Sequence, residues 1–153
     1  MKVLTYLLVV FGLLFSACES DDFPPPGGED PPCGPLIDVE ITAQVLEHHL
    51  TGFALRDVAK IMVDYTESSI LITPDGTFKG RDQIQIYYEK LLPAFPADET
   101  LFEIDVQKVE KEVAYIIWNA ETPTFTVPLG TDTFVVEDGK IMRQTFVAQI
   151  MPK

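Results

Sequence analysis

The apolar residues of this chain change their period near residue 100, and that change restricts the available folds more than any single motif. Between residues 38 and 92 they recur every three or four positions, and from Leu101 onward every second position. A period near 3.6 lays one buried stripe along a helix, whereas a period of two lays one buried face on a strand. Ile41, Val45, His49 and Phe53, with Leu46 and Leu50 beside them, predict an amphipathic helix over about 38–54, weakened at its end by Gly52. Asp57 serves as N-cap to a second, short helix carrying Val58, Ile61, Met62 and Tyr65 at i, i+3, i+4 and i+7. Ser69–Thr73 reads as a strand closed by the turn Pro74-Asp75-Gly76. Ile84, Tyr87, Tyr88, Leu91 and Leu92 mark a third helix, which Pro93 ends.

The second half reads as a meander. Phe102, Ile104 and Val106 alternate with polar residues, and Val113–Glu121 is an almost continuously apolar strand carrying Tyr115 and Trp118. Thr124–Val127 and Thr131–Glu137 follow, with a break expected at Pro128-Leu129-Gly130. Asp138-Gly139 suits a two-residue hairpin turn into Lys140–Ile150, because glycine accepts positive φ. Three helices followed by antiparallel strands predict an α+β domain over residues 36–153, with the helices packed on one face of the sheet.

The residues ahead of that domain read as an address. Lys2 precedes an uncharged, mostly apolar run from Val3 to Phe15, and small residues Ser16 and Ala17 precede Cys18. The run is shorter than the roughly 20 residues a spanning helix needs. Leu14-Phe15-Ser16-Ala17-Cys18 resembles a bacterial lipobox, which implies a signal peptide over residues 1–17 and acyl chains on Cys18. Residues 18–35 are rich in Pro, Gly and acid and read as an extended tether. Cys33 lies in that tether as an unpaired or intermolecular thiol. The expected location is the bacterial cell envelope, with the outer membrane favoured. The chain has 11 Lys and Arg against 24 Asp and Glu, a net charge of −13, so nucleic acid is not an expected partner.

The stretch DVAKIMVDYTESSILITPDGTFKG, Asp57–Gly80, with the following RDQIQIYYEKLL and the ending DTFVVEDGKIMRQTF, Asp132–Phe146, resembles the nuclear transport factor 2-like superfamily and its SnoaL-like branch. The resemblance implies a cone, in which a strongly bent antiparallel sheet and three N-terminal helices enclose a pocket. Homodimers are common in that superfamily, and the apolar run Val113–Trp118 suggests a partner on the outer sheet face. Aligned with its ketosteroid isomerases through Thr73-Pro74, their phenolic oxyanion donor falls at His49 and their oxyanion carboxylic acid at Asp132. Their general-base aspartate falls at Thr73, which cannot abstract a carbon-bound proton at neutral pH.

His49 lies on the apolar stripe of the first helix, either as a hydrogen-bonded core residue or aimed into the pocket. His48 points roughly 100° away and is expected on the surface. Asp132 shares a strand face with Phe134 and Val136. A nearby carboxylate would raise a histidine's pKa and orient one tautomer, so His49 and Asp132 are the candidate proton-transfer pair. Tyr65, Tyr88, Trp118 and Gln144 are the candidate ligand-binding walls. Adjacent histidines on one helix cannot share a metal, and no clustered Cys/His spacing exists, so no metal is expected. Neither a phosphate-binding glycine loop nor a dinucleotide fingerprint is present, and no cofactor is expected. Three classes stay open: a binder of a small apolar or amphipathic molecule, a cofactor-independent isomerase or dehydratase, and a dimerising accessory domain.

Overall fold

The structure is a computed structural model that describes residues 34–153. The signal-like segment, Cys18 and Cys33 lie outside the described residues. Helices α1 (Val39–Leu55) and α2 (Val58–Met62) lead into strands β1 (Tyr65–Thr73) and β2 (Gly76–Lys79), then helix α3 (Gly80–Leu91) and one 3-10 turn, Leu92–Ala94. Four long strands follow: β3 (Leu101–Glu110), β4 (Val113–Glu121), β5 (Phe125–Glu137) and β6 (Lys140–Pro152). The six strands form one open sheet in the order β2-β1-β6-β5-β4-β3. This is the α+β cone expected from the sequence, with one difference: β1 runs parallel to β6, and every other pair is antiparallel. The chain reaches β6 from β1 by way of α3 and four intervening strands, which is what permits a parallel neighbour.

The helix ends are set by local chemistry. The Asp38 side chain accepts from the Glu40 and Ile41 amides at 2.7 and 3.2 Å, satisfying two donors that a helix start leaves free. Asp57 does the same for α2 through the Lys60 amide at 2.9 Å. Gly52 lies within α1 and does not end it. A Cβ there would lie 2.8 Å from Ile61 Cγ1, so the glycine lets α2 pack closely on α1.

Two strand expectations are corrected. Tyr65 opens β1 rather than closing α2, because its backbone pairs with Ile141 of β6 and its aromatic ring favours a pleated, buried setting. The chain also stays in one strand from Phe125 to Glu137 across Pro128-Leu129-Gly130, absorbing the proline as a bulge at Thr126–Leu129.

That bulge has companions on the neighbouring strands. The β3–β4 register shifts between Ile104 and Val106, and the β4–β5 register shifts between Trp118 and Ala120. Ile104 pairs with Trp118, and Trp118 pairs with Gly130, so the irregularities line up as one crease across the sheet. Bulges add local twist and bend, and aligned bulges curl the sheet towards the helices. Its concave face buries Ala114, Ile116 and Trp118 from β4 and Phe134 and Val136 from β5 against Val45, Leu46 and Ile84 of the helices. The convex face carries Tyr115, Ile117, Thr131 and Val147, with Val147 exposed.

Gly130 permits the crease, since a Cβ at that position would overlap the Trp118 indole. Gly130→Ala is expected to destabilise the domain by about 1–3 kcal/mol, the range for forced overpacking. Urea unfolding followed by Trp118 fluorescence measures this, and an unchanged midpoint would show that the indole can move aside freely.

Candidate functional site

Three polar side chains that face the interior are buried: Asp132 on β5, Gln144 on β6 and His49 on α1. Asp132 pairs across the strands with Ile116 on one side and Phe146 on the other, so its carboxyl enters an apolar row. Such a group is costly unless hydrogen-bonded. Trp118 Nε1 donates to its Oδ2 at 2.8 Å, and Gln144 Nε2 donates to its Oδ1 at 2.7 Å. Burial pushes the Asp132 pKa up, while the Gln144 and Trp118 hydrogen bonds and the nearby His49 pull it down; the net direction is upward.

The Gln144 amide orientation follows from its other end. Its Oε1 accepts from the Tyr65 hydroxyl and from the Tyr88 hydroxyl, the latter at 3.1 Å. The two phenols lie 3.1 Å apart, and Tyr88 Oη also lies 3.1 Å from His49 Nε2. Burial raises both phenol pKa values, so both stay protonated at neutral pH. The imidazole of His49 is held edge-on by Tyr65, Tyr88 and Phe134, at ring centroid distances of 5.7, 5.8 and 5.2 Å. One connected network therefore joins α1, β1, α3, β4, β5 and β6.

His49 and Asp132 enclose the same chamber, yet hydrogen bonds connect them only through Tyr88 and Gln144. The carboxylate nearest to His49 is Asp64, whose Oδ2 lies 3.5 Å from His49 Nδ1. Asp64 also holds His48, whose Nδ1 lies 2.7 Å from Oδ1. His48 is thus half-exposed and engaged, where the helical angle alone placed it on the surface. Of the candidate walls, Tyr88, Trp118 and Gln144 line the chamber; Tyr65 sits behind them as a buried support. Thr73 is buried but does not line the chamber, and its hydroxyl accepts from the Asp75 amide at 3.1 Å.

The chamber is small, about 40 Å³, room for one or two water-sized groups. A larger groove of about 400 Å³ lies outside it. Tyr87, Leu91, Phe95 and Phe146 line both spaces, while Phe78, Ile86 and Ile150 extend the groove outward and Asp75 and Lys90 lie on its exposed rim. Sequence reasoning missed Asp64, Tyr87 and the outer groove. Tyr87 was read only as a marker of the third helix, and Asp64 gave no signal beyond being a carboxylate between a helix and a strand. Among the described residues, no group of three or more His, Cys, Asp or Glu is placed to hold a metal.

The family model for the SnoaL-like domain matches residues 46–144. Among solved structures, an NTF2-like protein from Mesorhizobium loti is similar at 22% identity, covering 72% of this chain and 93% of that one, with a TM-score of 0.61. A putative ketosteroid isomerase from Kribbella flavida is similar at 16% identity over 74% of this chain and 81% of its own, with a TM-score of 0.62. TerC, co-crystallised with polyporic acid, is similar at 14% identity over 71% and 92%, with a TM-score of 0.60. No curated protein matches the chain.

The raised pKa of Asp132 has a stability consequence whose sign is fixed. A carboxyl that binds its proton more tightly when folded favours folding below its ordinary value of 3.8, and that contribution is lost as pH rises through the folded value. Asp132→Asn removes the titration but turns an amide NH₂ towards the Trp118 or Gln144 donor, so the variant is expected to be less stable than wild type near pH 4. Its deficit should shrink towards pH 7, at no more than about 1.4 kcal/mol per pH unit. Urea unfolding of both proteins across that window checks this; a constant or widening deficit would contradict it.

Proposed function

The chain belongs to the SnoaL-like domain family, and from that membership we propose that it binds a small apolar molecule carrying one polar group. The observation that carries this reading is the pairing of a wide apolar groove with a very small chamber whose polar floor is Asp132. A ring or short chain fits the groove, where apolar area removed from water supplies about 25 cal/mol per Å². A hydroxyl or carbonyl at its tip fits the chamber. Asp132 accepts from a hydroxyl when ionised and donates to a carbonyl when protonated, so it orients the molecule without transforming it.

A second reading is a cofactor-independent isomerase or dehydratase using His49 and Asp132. The hydrogen-bond chain between them supports it. The absent base at Thr73 weighs against it, since that hydroxyl is committed to its own turn.

The protein's single tryptophan lines the chamber, so its emission reports occupancy directly. 2-Naphthol is expected to quench Trp118 fluorescence saturably, and Asp132→Ala to weaken that binding by about tenfold, the loss of one hydrogen bond to a charged group. Naphthalene, which has no hydroxyl, should bind with little dependence on Asp132. Ala148→Phe, which fills the groove from β6 without adding a second tryptophan, should abolish both. Non-saturable quenching, or equal losses for the two probes in Asp132→Ala, would overturn the reading.

We also infer that the domain is anchored in the cell envelope by acyl chains on Cys18, with residues 18–35 as its tether, and that it forms a homodimer through the convex sheet face. The lipobox-like run and the exposed Val147 beside Ile117 and Thr131 support these two inferences. Cys18→Ser should move the protein from the membrane fraction to the soluble fraction, where it should sediment as a dimer. Retention in membranes would refute the anchor, and a monomer at micromolar concentration would refute the dimer.

A further inference from the structure

Among the described residues three tyrosines line or back the chamber and groove, and two of them spend their hydroxyls on the protein. Tyr65 and Tyr88 both bond Gln144, and Tyr88 also meets His49. The third, Tyr87 on α3, lines the chamber and the groove together, and its hydroxyl has no hydrogen-bond partner among the described residues. We propose that this hydroxyl is a second recognition point: besides the polar group that meets Asp132, the bound molecule carries an acceptor oxygen at the junction of chamber and groove, to which Tyr87 donates. Resting on the binding reading, this narrows the ligand class from one polar group to two.

The Tyr87 ring is held from two sides. Phe78 on β2 packs against it at a centroid distance of 4.8 Å, and the Tyr88 ring lies nearly perpendicular to it at 5.5 Å. Leu91, one turn further along α3, lines the same two spaces. A ring so clamped keeps little freedom beyond rotation of its O–H bond, so the hydroxyl stays where the helix puts it. It also stays a donor. Burial, and after it the carboxylates of Asp132 and Asp75, push its pKa well above the ordinary phenol value, so the proton is in place at neutral pH. Asp132 is the chamber floor and Asp75 stands on the groove rim, and the hydroxyl is within electrostatic reach of both.

Selectivity follows from what happens to that donor when the groove fills. Solvent satisfies a half-buried hydroxyl at little cost, and a ligand in the groove displaces that solvent. Leu91, Phe95 and Phe146, which share the junction, carry no acceptor in their side chains. A ligand that is hydrocarbon at this point therefore leaves a covered donor unpaired, which weakens its binding by about tenfold. A ligand with an ether, carbonyl or hydroxyl oxygen there pairs the donor and escapes the loss. The site thus rejects a plain apolar ring through a group that such a ring cannot satisfy.

Tyr87→Phe removes the hydroxyl and keeps the packed ring, so it changes recognition and leaves the fold alone. Quenching of Trp118 in the full-length protein measures binding of 2-naphthol and of its 3-, 6- and 7-methoxy derivatives, whose ether oxygens sample three positions around the rings. 2-Naphthol, which leaves the hydroxyl unpaired, is expected to bind Tyr87→Phe about fivefold more tightly than wild type. In wild type at least one methoxy isomer should bind about fivefold more tightly than 2-naphthol, and in Tyr87→Phe that advantage should vanish. If 2-naphthol binds the variant no more tightly than wild type, or the four probes rank alike in both proteins, the role of Tyr87 is overturned and the binding reading stands. Absence of saturable quenching by every probe in both proteins would instead remove the binding reading, and the second contact with it.

Discussion

A carboxyl group buried in an apolar row organises this domain. Asp132 enters the concave face between Ile116 and Phe146, and a chain of buried polar groups is built outward from it. Its two oxygens take N–H donors from Trp118 and Gln144. Gln144, so oriented, offers its oxygen to the two phenols, and Tyr88 meets the imidazole of α1. A network in which every member fixes its neighbour is worth more than its separate bonds, because each alternative arrangement leaves a buried group unpaired. That is why helices with modest intrinsic tendencies sit in one position over this sheet.

The same network divides the interior into two electrostatic halves. On the sheet side, Asp132 is held by neutral donors, and burial favours its protonated form. On the helix side, Asp64 lies between the two imidazoles of His48 and His49. The two carboxyls are separated by a layer of phenols whose protons are held tightly by burial.

Much of the architecture was legible in the sequence because it rests on period and caps. The α1 stripe, the Asp57 cap, the β4 limits and the Asp138-Gly139 turn each follow from neighbouring residues alone. What local pattern could not show depends on pairing at long range. Tyr65 sits at helical spacing from Ile61 yet joins the sheet because Ile141, far along the chain, lies beside it. Pro128 reads as a strand break, but a bulge keeps the ladder running on both sides. His49 and Asp132 stood out as polar residues on apolar faces. Asp64 did not, because what distinguishes it is the position of two imidazoles delivered by another element.

The crease through Ile104, Trp118 and Gly130 separates the shape of the cone from the chemistry of its lining. Curvature is set where backbone registers slip, and those positions lie along one line across β3, β4 and β5. Residues such as Ile116 and Phe146 face the interior away from that line, so they can be exchanged for others of different size without unbending the sheet. The lining can therefore drift while the scaffold stands still. Trp118 is the exception, because it belongs to both: it stacks into the crease over Gly130 and also holds Asp132. Its replacement would disturb the curvature and the polar lining together, which makes position 118 a wall of the chamber that neither selection nor a designer can vary freely.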